Sequence, residues 1–237
     1  MLVLQGCSVY AGSVVENFDW GAGVPGREAF TSASPINGVR AQSGDAVFQE
    51  NKKSGSSVFS GANGSGRGAL LMKGQNNSVG FNYPVSAITI MKAEGKYYPG
   101  DTARGVRGFW IGCQSTAADN PLLNNQTTDR LMVQLNPSGI IIFRSVVSGV
   151  TNTAGKAEGS IQFSPGDLVK MELTVNMAEK TASVKVTGAG KDNVKVRTVK
   201  WTSDKIPDWG MIMINQTGNG QLLLDSVEVR TEPIILG

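Results

Sequence analysis

The run at residues 129–146, DRLMVQLNPSGIIIFRSV, constrains the fold more than any other stretch of the chain. Leu131, Val133 and Leu135 alternate with Arg130, Met132 and Gln134, Asn136-Pro137-Ser138-Gly139 then turns the chain, and Ile141 and Phe143 return opposite them. Side chains of a strand point alternately to its two faces, so this pattern specifies a β-hairpin with one buried face. The segment RGFWIGCQ at residues 107–114 supplies a neighbouring strand. The three strands are expected side by side in the middle of an antiparallel sheet.

A second hairpin is as clear. Ser164-Pro165-Gly166-Asp167 turns into a run in which Val169, Met171, Leu173 and Val175 alternate with Lys170, Glu172 and Thr174, and Ala182, Val184 and Val186 return against Ser183 and Lys185. One dry and one wet face suit the outer sheet of a sandwich. Weaker strand patterns lie at residues 16–20, 46–49, 57–60, 69–72, 194–201, 211–214 and 221–230, with two more inside 78–91 split by Pro84. The polar stretches 92–106, 115–128 and 148–160 read as loops, and the first would place Tyr97 and Tyr98 on the surface. Loops held by rigid sheets commonly carry binding function. Thirty Gly and only 17% charged residues fit short strands joined by turns, and 237 residues suffice to bury one core. The expectation is an all-β chain: a tail at 1–13, one sandwich domain at 14–232 and a C-terminal tail at 233–237.

The chain contains no His. That removes Ser-His-Asp triads, Cys-His pairs, His-ligated zinc and imidazole acid-base chemistry together. A net charge of +3 is too small for a nucleic-acid binder, and Lys191, Lys195, Arg197 and Lys200 read as a solvated strand face. Trp20, Trp201 and Trp209 read as packing or edge residues. Cys113 sits in the central strand stretch as a small apolar residue.

Cys7 follows Leu2-Val3-Leu4-Gln5-Gly6, which resembles the end of a bacterial lipoprotein signal, although no basic segment precedes it and Gln5 stands where a small residue is usual. Two readings stand side by side. Either residues 1–11 are the remnant of a signal, Cys7 is the lipidated residue and the protein is exported to the cell surface, periplasm or medium, or they are an ordinary disordered tail. No uncharged apolar run approaches the roughly 20 residues of a membrane span, so a lipid anchor would be the one membrane contact.

The strand around Glu16-Asn17-Phe18-Asp19, the central Gly108-Phe109-Trp110-Ile111-Gly112, the turn Ser164-Pro165-Gly166-Asp167 and the closing Leu224-Asp225-Ser226-Val227-Glu228-Val229 together resemble the concanavalin A-like lectins and glucanases over most of residues 14–231. The resemblance implies a two-sheet antiparallel jelly-roll β-sandwich whose concave face binds glycan in many relatives. With Phe109, Ile111, Leu131, Val133, Leu135, Ile141 and Phe143 committed to the core, alternation puts Trp110, Arg130, Met132, Gln134 and Arg144 on that concave face, joined by Tyr97 and Tyr98 from the loop. Aromatic faces stack on sugars, and Arg or Gln hydrogen-bonds them. The other placement of Trp110 is in the core.

Related jelly rolls also hold a structural calcium where the last strand meets the first. Asp225 interrupts an apolar strand on the side assigned to Leu223 and Val227, so the resemblance makes Asp225 with Glu16 or Asp19 a candidate calcium site. An edge or bulge Asp that caps a turn is the alternative. The paired acids of the glucanase branch are absent, and Glu172 stands alone on the outer sheet. The expected function is an exported polysaccharide-binding or surface-interaction module, with glycan rather than nucleic acid as partner. The alternatives are a polysaccharide lyase drawing on Tyr97, Tyr98, Arg104, Arg107, Arg130 and Gln134, and a structural surface or virion-associated sandwich.

Overall fold

The computed structural model describes residues 12–50, 57–61, 68–73, 77–100, 108–115, 129–147, 150–152, 161–188, 194–201 and 209–233. Their regular structure is entirely strand: β1 (Ser13–Glu16), β2 (Gln49–Glu50), β3 (Ser57–Gly61), β4 (Gly68–Lys73), β5 (Asn77–Asn82), β6 (Ile88–Tyr98), β7 (Gly108–Gln114), β8 (Arg130–Leu135), β9 (Ile141–Val147), β10 (Val150–Asn152), β11 (Leu168–Asn176), β12 (Thr181–Thr187), β13 (Val194–Lys200), β14 (Met211–Thr217) and β15 (Gln221–Glu232). They form two antiparallel sheets. One holds eight strands in the order β13-β12-β11-β6-β15-β4-β3, with β1 also paired to β15, and the other holds seven in the order β10-β9-β8-β7-β14-β5-β2.

The two clear hairpins fall one in each sheet. β8 pairs β9 with Val133 opposite Phe143, and β11 pairs β12 with Leu173 opposite Val184. All of these face one core, together with Phe109, Ile111, Leu131, Leu135 and Ile141 from the seven-stranded sheet and Met91, Val169, Leu222 and Val229 from the other. Trp201 and Trp209 also join the core, edge to face at 5.3 Å between ring centroids.

Four details depart from the sequence reading. β6 runs through Tyr98, because Lys92, Glu94 and Lys96 alternate with Ala93, Gly95 and Tyr97 across a wet and a dry face; the two tyrosines end a strand instead of decorating a loop. β10 forms inside a stretch expected to be loop, by pairing with β9. The first strand stops at Glu16, since Phe18 takes a left-handed backbone (φ 56°) that turns its ring into the core. β15 carries a bulge between Leu224 and Ser226, which inserts one residue and inverts the alternation. Leu224 and Val227 therefore both face the core, three residues apart, and Asp225 falls outside the parity that grouped it with Leu223 and Val227.

At the end of β1 a fully buried ion pair fastens the loop at residues 17–46 to the sandwich. Arg27 donates to both carboxylate oxygens of Glu16, at 2.8 and 2.5 Å, and to the carbonyls of Asp19 and Arg40, while its guanidinium lies 5.3 Å over the Phe59 ring. Glu16 also accepts the Phe18 and Gln42 amides. Removing one member of such a pair strands the other charge away from water. Arg27→Met should lower unfolding free energy in urea by about 3–5 kcal/mol, and adding Glu16→Leu should recover part of that loss.

Candidate functional site

Alternation in the seven-stranded sheet leaves a second set of side chains on the face turned away from the core. Cross-strand pairing aligns them in rows. One row runs Ile142, Gln134, Trp110, Asn215 and Ser78, and the next runs Arg144, Met132, Gly112, Met213 and Gly80. Trp110, Met132, Met211 and Met213 form a compact apolar cluster there, separate from the main core. Trp110 is thus on the predicted face, with Leu131 on the core side, and the expected register holds.

Trp110 is held at several points. Its indole N–H donates to the Thr217 hydroxyl at 2.8 Å, and the Arg144 guanidinium lies 5.3 Å over its ring. The indole is only 6% exposed, so it serves as the floor on which Arg144 rests. Gly112 makes the arrangement fit: a Cβ there would run into the Leu131 carbonyl and lie 2.7 Å from the Met132 sulfur. Arg130 stands on the same face, diagonal to Arg144 on the adjacent strand. Burial lowers the affinity of the Arg130 guanidinium for its proton, and the nearby Arg144 charge adds to that effect.

Among the buried polar atoms on this face that lack a hydrogen-bond partner are Nε of Arg144 and the side-chain carbonyl oxygen of Asn215, which lies directly across from Trp110. Native structures leave few such atoms. Asn215, Thr217, Met211 and Met213 were missed as site residues from sequence. The alternation of β14 was visible, but its pairing to β7 joins segments about a hundred residues apart.

Trp110, Arg130, Met132, Gln134 and Arg144 therefore share one face, although Met132 and Gln134 are buried within it and only the two arginines are partly exposed. Tyr97 and Tyr98 do not join them. Tyr97 lies between the sheets, with its ring 6.4 Å from Phe109, because the dry parity of β6 points inward. Burial pushes the Tyr97 phenol up, away from the range a lyase base needs. Tyr98 is on the outer face of the eight-stranded sheet. The tyrosine half of the lyase set is thus apart from Arg130 and Gln134; Arg104 and Arg107 lie outside the described residues, as do Cys7 and Lys191. Cys113 is fully buried and burial pushes its thiol up, which leaves it an inert core group.

The layering and strand order define the class as a concanavalin A-like jelly-roll sandwich. No family model and no curated protein sequence matches the chain. Among solved structures, arcelin-5, a lectin-like defense protein from Phaseolus vulgaris, is similar at 8% identity and TM-score 0.60, over 95% of this chain and 100% of that one. Winged bean acidic lectin, complexed with methyl-alpha-D-galactose, gives 8% and 0.59 over 93% and 99%. The exoplasmic/lumenal domain of VIP36, in a Ca2+/Man3GlcNAc-bound form, gives 8% and 0.55 over 80% and 84%.

The carboxylates assigned to calcium do not fit that ion. Glu16 is saturated by Arg27 and two amides, Asp19 accepts the Gly68 amide, and no cluster of three potential ligands exists among the described residues. Asp225 instead sits at the β15 bulge, where burial raises its pKa, Lys96 partly offsets the rise, and Glu94 adds to it.

A carboxyl with a raised folded-state pKa binds more protons folded than unfolded, so it costs stability as pH rises from the ordinary aspartate range through the raised value. Asp225→Asn should consequently raise the melting temperature at pH 7 and leave it unchanged near pH 3, whereas a metal ligand would show a loss at pH 7. Gly112→Ala should destabilise the sheet by about 1–3 kcal/mol in urea denaturation through overpacking against Leu131 and Met132.

Proposed function

We propose that the protein binds polysaccharide on the outward face of the seven-stranded sheet, around Trp110 and Arg144, with Arg130 and Asn215 alongside. The observation that carries this reading is the pair of unpartnered buried atoms flanking the indole. The Arg144 Nε–H requires an acceptor and the Asn215 carbonyl requires a donor, and a sugar hydroxyl or ring substituent can be either. Trp110 supplies the buried aromatic floor on which Arg144 is preorganised by stacking, so that the guanidinium rather than the indole meets the sugar. The similar winged bean lectin, solved with methyl-alpha-D-galactose, and the similar VIP36 domain, solved in a Man3GlcNAc-bound form, support the same reading.

The reading includes export, with Cys7 as a lipid attachment point if residues 1–11 derive from a signal. It makes the protein a binding module. β5, β7, β8, β9 and β14 contain no Asp or Glu, so a two-carboxylate hydrolytic pair would have to come from outside these strands.

Isothermal titration against a panel of neutral and acidic polysaccharides tests it. At least one should bind, and Arg144→Ala should weaken that binding about tenfold or more while circular dichroism stays unchanged, since a hydrogen bond from a charged group is worth about 1.5–3 kcal/mol. Trp110→Ala should abolish binding and also cost about 3–5 kcal/mol of stability. A panel without a ligand, or a ligand bound equally by Arg144→Ala, would refute the site.

A further inference from the structure

The central strands of the two sheets distribute charge very differently. On the eight-stranded sheet, cations and anions interleave: Lys170 pairs Glu94 at 2.6 Å, Lys92 lies 3.3 Å from Glu228 and 4.0 Å from Glu172, and Arg230 pairs Glu228 and Glu232. Across β5, β7, β8, β9 and β14 there is no Asp, Glu or Lys; the charged residues are Arg130 and Arg144, and both are on the outward face. Arg130 and Arg144 are diagonal like charges on neighbouring strands with no carboxylate directly opposite either, whereas on the other sheet the diagonal Lys92 and Lys170 each face a carboxylate, Glu172 and Glu94. Among the described residues Arg144 forms no ion pair, and its Nε is buried without an acceptor. Its guanidinium is meanwhile fixed in place over Trp110.

We propose that the glycan bound here is anionic, a polysaccharide bearing uronate or sulfate groups, with an acid group seated between Arg130 and Arg144. The proposal rests on the reading of this face as a glycan site and adds the chemical class of ligand. A carboxylate or sulfate supplies the acceptor that Arg144 Nε lacks, and its charge offsets the repulsion between the two guanidiniums. Planar guanidinium forks match both groups in bidentate geometry. Because Arg144 is already immobilised by the indole, little side-chain freedom is lost on binding. Two arginines as the only charged residues of β5, β7, β8, β9 and β14 are too few for the electrostatic footprint of a nucleic acid.

The test is titration calorimetry of the whole protein with polygalacturonate and with a sulfated galactan, each beside its carboxyl-reduced or desulfated counterpart, and with oligodeoxythymidine as a non-sugar polyanion. The proposal expects one of the acidic chains to bind about tenfold or more tightly than its neutralised form, with binding weakened by added salt. Which acidic chain binds separates uronate from sulfate. Arg130→Gln and Arg144→Gln should each reduce that preference and the double variant should abolish it, while Arg144→Lys, which keeps charge but loses the fork, should retain part. Circular dichroism verifies that each variant is folded. Equal binding of acidic and neutralised chains would overturn the anionic class and leave the glycan site standing. No binding of any of the four chains would overturn both. Undiminished acidic binding by the double variant, or equally tight binding of oligodeoxythymidine, would also overturn the proposal.

Discussion

Burial on both faces of the central strands is the constraint on which the rest depends. Every residue of β7 is buried, as are five of the six in β8, so these strands cannot slide or flip without moving large side chains between two packed layers. Phe109 and Ile111 point into the sandwich while Trp110 points out, and the hydrogen-bonded ladders to β8 and β14 transmit that parity to every neighbour. The placement of Arg130, Arg144, Asn215 and Thr217 follows from this register without any further local requirement.

The parity was readable where one face is polar. In β8, β9, β11 and β12 the alternation alone predicts which residues meet the core, and the structure agrees at Leu131, Val133, Phe143, Met171 and Val184. β7 is ambiguous by itself, because Phe109 and Trp110 are both large and apolar on opposite faces. Its register became legible only through its neighbour β8. β6 shows the reverse failure: its alternation is present, but Ala93 and Gly95 are too small to signal a dry face, and the polar letters between them suggested a loop. The β15 bulge was also written in the sequence, as a spacing of three between Leu224 and Val227. A strict period of two reads straight through it.

Glu16 illustrates what no local pattern can supply. An acid near the chain start that resembles a known ligand position is compatible with a metal, and whether it binds one depends on what packs against it. Here Arg27 reaches it after a loop, inserted over Phe59 and satisfied by two carbonyls as well as the carboxylate. A buried carboxylate needs a positive partner in either case. In this chain an arginine fills that need, and it ties residues 17–46 to the sheet as it does so.

The same contrast separates the two arginine environments. Arg27 is buried with its counter-charge, so its worth is in holding the fold. Arg144 rests on an aromatic ring with its Nε unpartnered and another arginine close by, a configuration that costs stability and contributes little packing that a neutral side chain could not match. The cation–π contact with Trp110 returns about 0.5–2 kcal/mol, which is comparable with the roughly 1–3 kcal/mol lost by leaving a buried donor unpaired. Folding alone therefore gives no net reason for an arginine at position 144. Strained or unsatisfied polar groups of this kind concentrate where a ligand completes them. The chemistry of this face follows from its register: the sheet that buries Trp110 as a floor also holds the Arg144 guanidinium over it, with Arg130 diagonal to Arg144 on the next strand.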